Sequence, residues 1–423
     1  MEIKNGILKI STHNICILLF IISLVVLPGI IMLYMGLLYL TYKEKIMGAI
    51  KSLIIITFRG ILSTAVAVYA GSYDTMKLFV IFILSLYILY KSFDVNKKVN
   101  RITVIVFSIF IFCIYIIIAS FISGSYPVTS FFKIVSFFIT FVAVIEGIYI
   151  TKEKIDWLEY LCKWLTILMI TSFFLLPFDS FKTINNNFQG VFNHVNVLGV
   201  IGALYISLLL VKNESIVVKN KLAKKVLIIM TLIMQYYTLS RTGLIISCIC
   251  LFVNFITNTS IKKIIYISVI FLSCFIVYTT NDTINTQINN ELISFIYKGN
   301  QSNILASRRD IQKDSQLKYE NNELLGSGFM LPFEKNVRDY SLNLGKNYEP
   351  SNLIWMLIGD TGQIGVLLFL VFTFLLIING QIKYIILVIS SFGICMGEMV
   401  FFSVNNFSII IYTILSIYLI KKN

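Results

Sequence analysis

Apolar runs of about 20 residues recur along this chain, more than a soluble core can absorb. In lipid every backbone polar group must be satisfied internally, so runs of this length read as membrane-spanning helices. They lie near residues 14–40, 53–70, 76–90, 102–122, 131–150, 158–177, 195–211, 224–240, 242–258, 263–280, 361–379, 384–400 and 404–420. The first contains Pro28 and reads either as one kinked span or as a tight pair of short ones. Composition agrees, with 57% hydrophobic and only 13% charged residues in 423. The expected fold is an all-α polytopic integral membrane protein of about 12–14 transmembrane helices with one long extracytoplasmic loop.

That loop is the polar interval 281–352. It carries mixed charge and many asparagines, and connections of such length are usually functional or disordered. It divides the chain into an N-terminal transmembrane bundle (1–280), the loop (281–352) and C-terminal transmembrane helices (353–423). A net charge of +14 would suggest nucleic acid in a soluble protein. Here the basic residues gather in short connections: Lys43, Lys45 and Lys51; Lys97, Lys98 and Arg101; Lys152 and Lys154; Lys219, Lys221, Lys224 and Lys225; Lys262 and Lys263. Alternate connections are poor in Lys and Arg, which is the positive-inside pattern. It places the N-terminus, with Lys4 and Lys9, in the cytoplasm and argues against a nucleic-acid partner. The segments 179–194, Ser240–Arg241 and 281–352 then converge on the extracytoplasmic face. The 7 cysteines all lie in apolar runs without a CxxC pair and read as small buried hydrophobes. Neither a metal cluster nor a cofactor motif is expected.

The residues able to do chemistry cluster in those three segments. Arg241, in Leu239-Ser240-Arg241-Thr242-Gly243, is either an interfacial arginine snorkelling to headgroups or a guanidinium fork facing a phosphate. Arg308 and Arg309 are adjacent in the long loop; they are either solvated or supply a second cation, so that two arginines hold a diphosphate as it leaves. His194, in Phe192-Asn193-His194-Val195-Asn196, is either a satisfied interfacial histidine or a general base. Arg59 reads as lying mid-span, where a charge needs a partner or a wet cavity, and Glu146 is one candidate partner. Lys133 and Glu398 read as charges near span ends. Asp360 is either a helix-terminal anion or a site carboxylate, and Gly362 and Gly365 read as close-packing glycines.

Taken in order, these segments resemble the O-antigen polymerase and O-antigen ligase family of bacterial membrane glycosyltransferases. Phe192-Asn193-His194-Val195-Asn196 with Leu198-Gly199 looks like the family's outer-loop Asn motif, and Ser240-Arg241 with Gly243 like its Ser-Arg turn. Ser307-Arg308 with Leu325-Gly326-Ser327-Gly328, and Ser351-Asn352 followed by Gly362 and Gly365, are similar to its long-loop arginine and loop-exit pattern. The resemblance covers roughly Phe192 to Gly365. It implies a GT-C-like glycosyltransferase of the bacterial cytoplasmic membrane, multi-pass, with its active site on the extracytoplasmic side. The implied reaction is metal-independent and needs no cofactor: a sugar hydroxyl attacks a polyprenyl-diphosphate-linked oligosaccharide and the lipid diphosphate leaves. Donor and acceptor are both lipid-linked repeat units in the polymerase reading; a flippase and a chain-length regulator are implied further partners, beside the lipid bilayer. Arg241, Arg308 and His194 are then the expected catalytic residues, and Arg309, Asn196, Asn352, Asp360 and Arg59 the expected substrate-binding ones. The alternatives are a ligase moving finished glycan to a final acceptor, and a polysaccharide flippase or transporter. The family's loop-exit pair often begins with His, the base in the ligases, where this chain has Ser351. That leaves His194, Glu349 and Asp360 as alternative bases.

Overall fold

The computed structural model describes residues 2–4, 7–9, 12–71, 73–93, 101–123, 126–183, 187–211, 221–258, 309–333 and 352–420, with the side chains of 2–4, 7–9, 74 and 309–311 left aside. The expected span near 263–280 and most of the 281–352 interval lie outside these residues. A short antiparallel hairpin, β1 (Glu2–Lys4) with β2 (Ile7–Lys9), precedes an otherwise helical chain. The helices are α1 (Thr12–Val25), α2 (Pro28–Gly60), α3 (Tyr73–Phe93), α4 (Arg101–Ser123), α5 (Pro127–Thr151), α6 (Trp157–Phe174), α7 (Val195–Val211), α8 (Lys221–Tyr237) and α9 (Arg241–Asn258). They continue with α10 (Arg309–Asn321), α11 (Leu353–Asn379), α12 (Ile385–Cys395) and α13 (Ser408–Ile420). Among the described residues, five helices are long and apolar enough to cross a membrane, and the all-α polytopic expectation stands.

Pro28 opens α2, so the first apolar run is two helices rather than one kinked span. α2 itself turns back on Lys45, whose φ of 55° and ψ of −133° break the helix. Ser52 Oγ donates to the Leu37 carbonyl at 3.0 Å. Fifteen residues of straight helix would hold those groups about 22 Å apart, so the arms 28–44 and 46–60 lie side by side. The second arm stops at Gly60. The expected span at 53–70 is therefore half irregular: Leu62 bridges to Phe192, and Ser63 N–H donates to the Val191 carbonyl at 2.8 Å.

One end of the bundle gathers the finishing ends of α2, α4, α6, α8 and α12 and the starting ends of α3, α5, α7, α9, α11 and α13; it is called the site end below. α7 and α13 are buried along almost their whole length, at the centre. Helices apolar all round must be covered by protein or lipid. The outer helices turn Phe79, Phe107, Phe132, Phe252, Leu367 and Phe374 outward. Cys248 is exposed too, against the expectation of burial; Cys16, Cys113, Cys162, Cys250 and Cys395 are buried.

α12 and α13 contain 11 and 13 residues, about 17 and 20 Å of helix against a hydrocarbon core of about 30 Å. The expected spans at 384–400 and 404–420 thus stop short of each other. The turns at 396–407 join them inside the protein, where irregular backbone is tolerated because other residues cover it. Phe401 and Phe402 anchor this link in a cluster with Phe137, Phe141, Phe369 and Tyr412, ring centroids 4.7 to 6.0 Å apart.

Candidate functional site

The link between α12 and α13 builds one wall of a cavity of about 390 Å³ at the site end. Its lining is Asn193, His194, Asn196 and Val197 from the start of α7, Glu398 and Val400 from the link, and Asn406 and Phe407 before α13. Two helix N-termini, those of α7 and α13, therefore border it. Each brings the positive end of a helix dipole, a setting suited to an anion.

His194 precedes α7, and its Nδ1 accepts the Asn196 backbone N–H at 3.1 Å, capping the helix. A neutral ring held this way carries its proton on Nε2. Asn196 then turns its side chain to the link, where its Nδ2 donates to Glu398 Oε1 at 2.6 Å. One asparagine thus orders both the histidine and the carboxylate.

Arg241 is half-buried and begins α9 after a tight turn in which Leu239 has φ 51°. Small residues hold its backbone against α7 and the link. A Cβ at Gly243 would overlap the Gly199 carbonyl, so α7 and α9 cross backbone to backbone there. A Cβ at Gly397 would overlap Thr242, which seats the link on α9 with Arg241 and Glu398 each one residue from that contact. Gln235 locks the crossing from α8: its Nε2 donates to the Gly199 carbonyl at 2.7 Å and its Oε1 accepts from Ser247 Oγ at 2.9 Å. Asn352 caps α11 through its side-chain oxygen, which accepts from Ile354 and Trp355 N–H. Its Nδ2 donates to the Met396 carbonyl at 2.6 Å, tying α11 to the same link.

Asp360 lies apart. Its side chain is 0% exposed: Oδ1 meets Lys318 Nζ at 2.6 Å and Oδ2 accepts the Met330 N–H at 2.7 Å. These contacts dock α10 and the run of turns and bends that follows it, residues 322–333 (its return strand below, though it pairs in no sheet), on the bundle. Tyr115 Oη, Ser123 Oγ, Ser130 Oγ and Lys133 Nζ on α4 and α5 donate to the carbonyls of Leu324, Gly326, Phe329 and Met330 at 2.7 to 3.2 Å. The strand wedges into α11 at Gly362, whose φ of 61° interrupts the helix. Gln363 and Ile364 donate to the Glu323 and Leu324 carbonyls instead of to their own helix. Gly362 thus permits a break, where close packing alone was expected. Ser315 sits at Gly359, Lys318 at Asp360 and Tyr319 at Gln363. α10 and α11 therefore run in the same sense, with the start of α10 on the side of Asn352.

The structure places His194 and Asn196 on the cavity, ties Asn352 to the link at Met396 and sets Arg241 one residue from the contact of Thr242 with the link. It does not bring Asp360 or Arg59 to them. Arg59 is in the last turn of α2, not mid-span, and its guanidinium donates to the carbonyls of Ser23 at 3.1 Å and Val68 at 2.7 Å. It staples α1 to the segment after α2. Gly147, beside Glu146, packs against Ile50, nine residues and about 13 Å of helix from Arg59. Arg308 and the side chain of Arg309 lie outside the described residues. Sequence reasoning passed over Glu398 and Lys318. Glu398 had a signal, a lone carboxylate in an apolar stretch, whereas Lys318 sits in a polar helix where another lysine draws no notice.

Residues 226–370 match the model of the O-antigen ligase family. The match runs from α8 to the middle of α11 and includes Arg241, Asn352 and Asp360, leaving His194, Asn196 and Glu398 outside it. No curated protein matches the chain.

Proposed function

From an O-antigen ligase domain at residues 226–370 of an all-α, multi-pass membrane protein, we propose that this chain polymerises polyprenyl-diphosphate-linked oligosaccharide repeat units into a surface polysaccharide. The family match supports an enzyme of polysaccharide assembly, acting on a lipid-linked oligosaccharide in the membrane. The observation that carries the finer reading is the convergence on one cavity of two helix N-termini with Arg241 beside them. A diphosphate gathers negative charge as its bond to the sugar breaks, and positive groups fixed in advance lower that barrier. Arg241 grips the departing diphosphate, with Arg308 and Arg309 as further cations from the 281–352 interval. Asn196 and Asn352 shape the cavity, and His194 presents an N–H to a sugar or phosphate oxygen.

The lysine clusters support the site end as the extracytoplasmic one. Lys43, Lys45, Lys152, Lys154, Lys221, Lys224 and Lys225 all lie at the opposite end, as a cytoplasmic face requires. In this reading 1–280 and 353–423 form the membrane bundle, 281–352 is the extracytoplasmic unit over the site, and a flippase and a chain-length regulator act beside it in the bacterial cytoplasmic membrane.

The test is the length distribution of surface glycan in cells lacking this protein, complemented with the wild type or Arg241→Ala. The polymerase reading expects long chains to vanish, single units to remain on their normal acceptor, and Arg241→Ala to restore little. The match to the O-antigen ligase family favours a second reading, a ligase. That reading expects the surface to be bare and long chains to be stranded on the lipid carrier.

A further inference from the structure

Glycosyl transfer needs a group to take the acceptor's proton, and the site geometry narrows the choice. Asp360 is fully enclosed with both oxygens engaged, and Glu349 lies outside the described residues. His194 spends its Nδ1 lone pair on the Asn196 N–H, so its neutral ring turns an N–H, not a lone pair, toward an incoming group. Among the described residues, the carboxylate that lines that cavity is Glu398.

We propose that Glu398 is the general base of this reaction. The inference rests on the glycosyl-transfer reading above and adds the residue that touches the acceptor hydroxyl. Glu398 lines the same cavity as His194 and Asn406, and the Asn196 amide holds its Oε1 at 2.6 Å, fixing where the carboxylate points. The contact of Gly397 with Thr242 sets it next to the start of α9, where Arg241 stands. The base and the leaving-group cation are thus each one residue from a single contact, which fixes their backbones relative to each other.

The step balances. The acceptor oxygen forms a bond to the anomeric carbon as the bond from that carbon to the diphosphate oxygen breaks. The hydroxyl proton passes to the Glu398 carboxylate. The electron pair of the broken bond leaves on the lipid diphosphate, whose added charge Arg241 meets. Glu398 then returns its proton to water. Among the described residues, the elements packed there bring His194 from α7, Arg241 from α9 and Lys77 from α3, whose Nζ reaches the Asn405 carbonyl at 3.0 Å; α11 and the link bring the neutral Asn352 and Asn406.

The experiment uses full-length protein in detergent, with lipid-linked repeat units extracted from cells lacking it. Glu398→Gln is expected to lower kcat at least about 100-fold while donor KM moves less than about threefold, the usual scale for loss of a general base. The acid limb of the wild-type pH–rate profile should disappear with it. Glu398→Asp should retain more activity than Glu398→Gln, and Asn196→Ala should lower kcat by about tenfold because the carboxylate remains but is no longer aimed. A Glu398→Gln protein that elutes as folded and keeps more than a tenth of wild-type kcat would overturn the proposal, as would a loss confined to KM. If Glu398→Gln does not fold, Asn196→Ala decides: unchanged kcat and an unchanged acid limb count against Glu398. Wild-type protein that transfers no glycan from these donors defeats the underlying function reading, whereas active wild type with an active Glu398→Gln variant defeats the base alone.

Discussion

At the scale of single residues, the site is held by side chains that each serve two partners. His194 shows how a structural and a chemical role separate. Its Nδ1 caps α7, and losing a cap costs about 1 kcal/mol. His194→Ala should therefore lower the thermal stability of the purified protein by about that amount, and His194→Asn, whose side-chain oxygen caps as well, should restore it. Stability unchanged in His194→Ala would show that the cap contributes nothing. Arg241 yields a different contrast. A lysine there keeps the charge but loses the planar fork, so Arg241→Lys should transfer glycan at least about tenfold more slowly than wild type, and Arg241→Ala about 100- to 1,000-fold more slowly. Equal rates for Arg241→Lys and wild type would reduce the arginine to a point charge. The position of Arg241 at a turn between two helices was legible in the sequence because a cation between two apolar runs marks a connection. The place of Arg59 was not, since hydropathy alone cannot say that α2 ends one residue later.

At the scale of elements, α10 and its return strand are seated by one buried ion pair and one broken helix. Lys318 is 1% exposed and its Nζ reaches both Asp360, at 2.6 Å, and Asp314, at 3.4 Å. Removing one member of a buried pair strands the other and costs about 3–5 kcal/mol, while replacing both with apolar groups can be nearly neutral. Lys318→Met should thus sharply lower the melting temperature and expose residues 322–333 to protease, and Lys318→Met with Asp360→Leu should recover much of the loss. A double variant no better than the single would mean that the Met330 N–H bond to Asp360, not the ion pair, seats the strand. Gly362 is the second device: its φ of 61° and the backbone of Leu324 against it leave no space for a side chain, so Gly362→Val should unseat the same strand. None of this was legible from the sequence. The span read at 361–379 starts where the helix breaks, and the break comes from carbonyls of a segment about forty residues earlier. A local pattern cannot register a backbone partner so distant along the chain.

At the scale of the whole molecule, hydropathy located most helices because burial in lipid or protein makes the same demand on every residue of a span. It failed where a helix stops inside the protein, as α12 and α13 do, because Met399, Val400, Phe401 and Phe402 carry the apolar run of α12 on into the link. That failure hid Glu398, since a carboxylate read as lying at a span end is in fact on a wall of the cavity. The two ends of the bundle differ in charge, and this asymmetry carries the final prediction. Lysines crowd the end holding Lys154 and Lys225, while the end holding Asn193 and Asn406 offers polar, mostly neutral side chains. Both Asn193 and Lys154 are exposed, so a cysteine at either, in a chain cleared of its own cysteines, will meet a water-borne maleimide that cannot cross the bilayer. Asn193→Cys should label in intact cells and Lys154→Cys only after the membrane is opened. The reverse pattern would put the cavity on the cytoplasmic side, where lipid-linked units that have already crossed the membrane cannot reach it, and polymerisation at this site would then fail on topology alone.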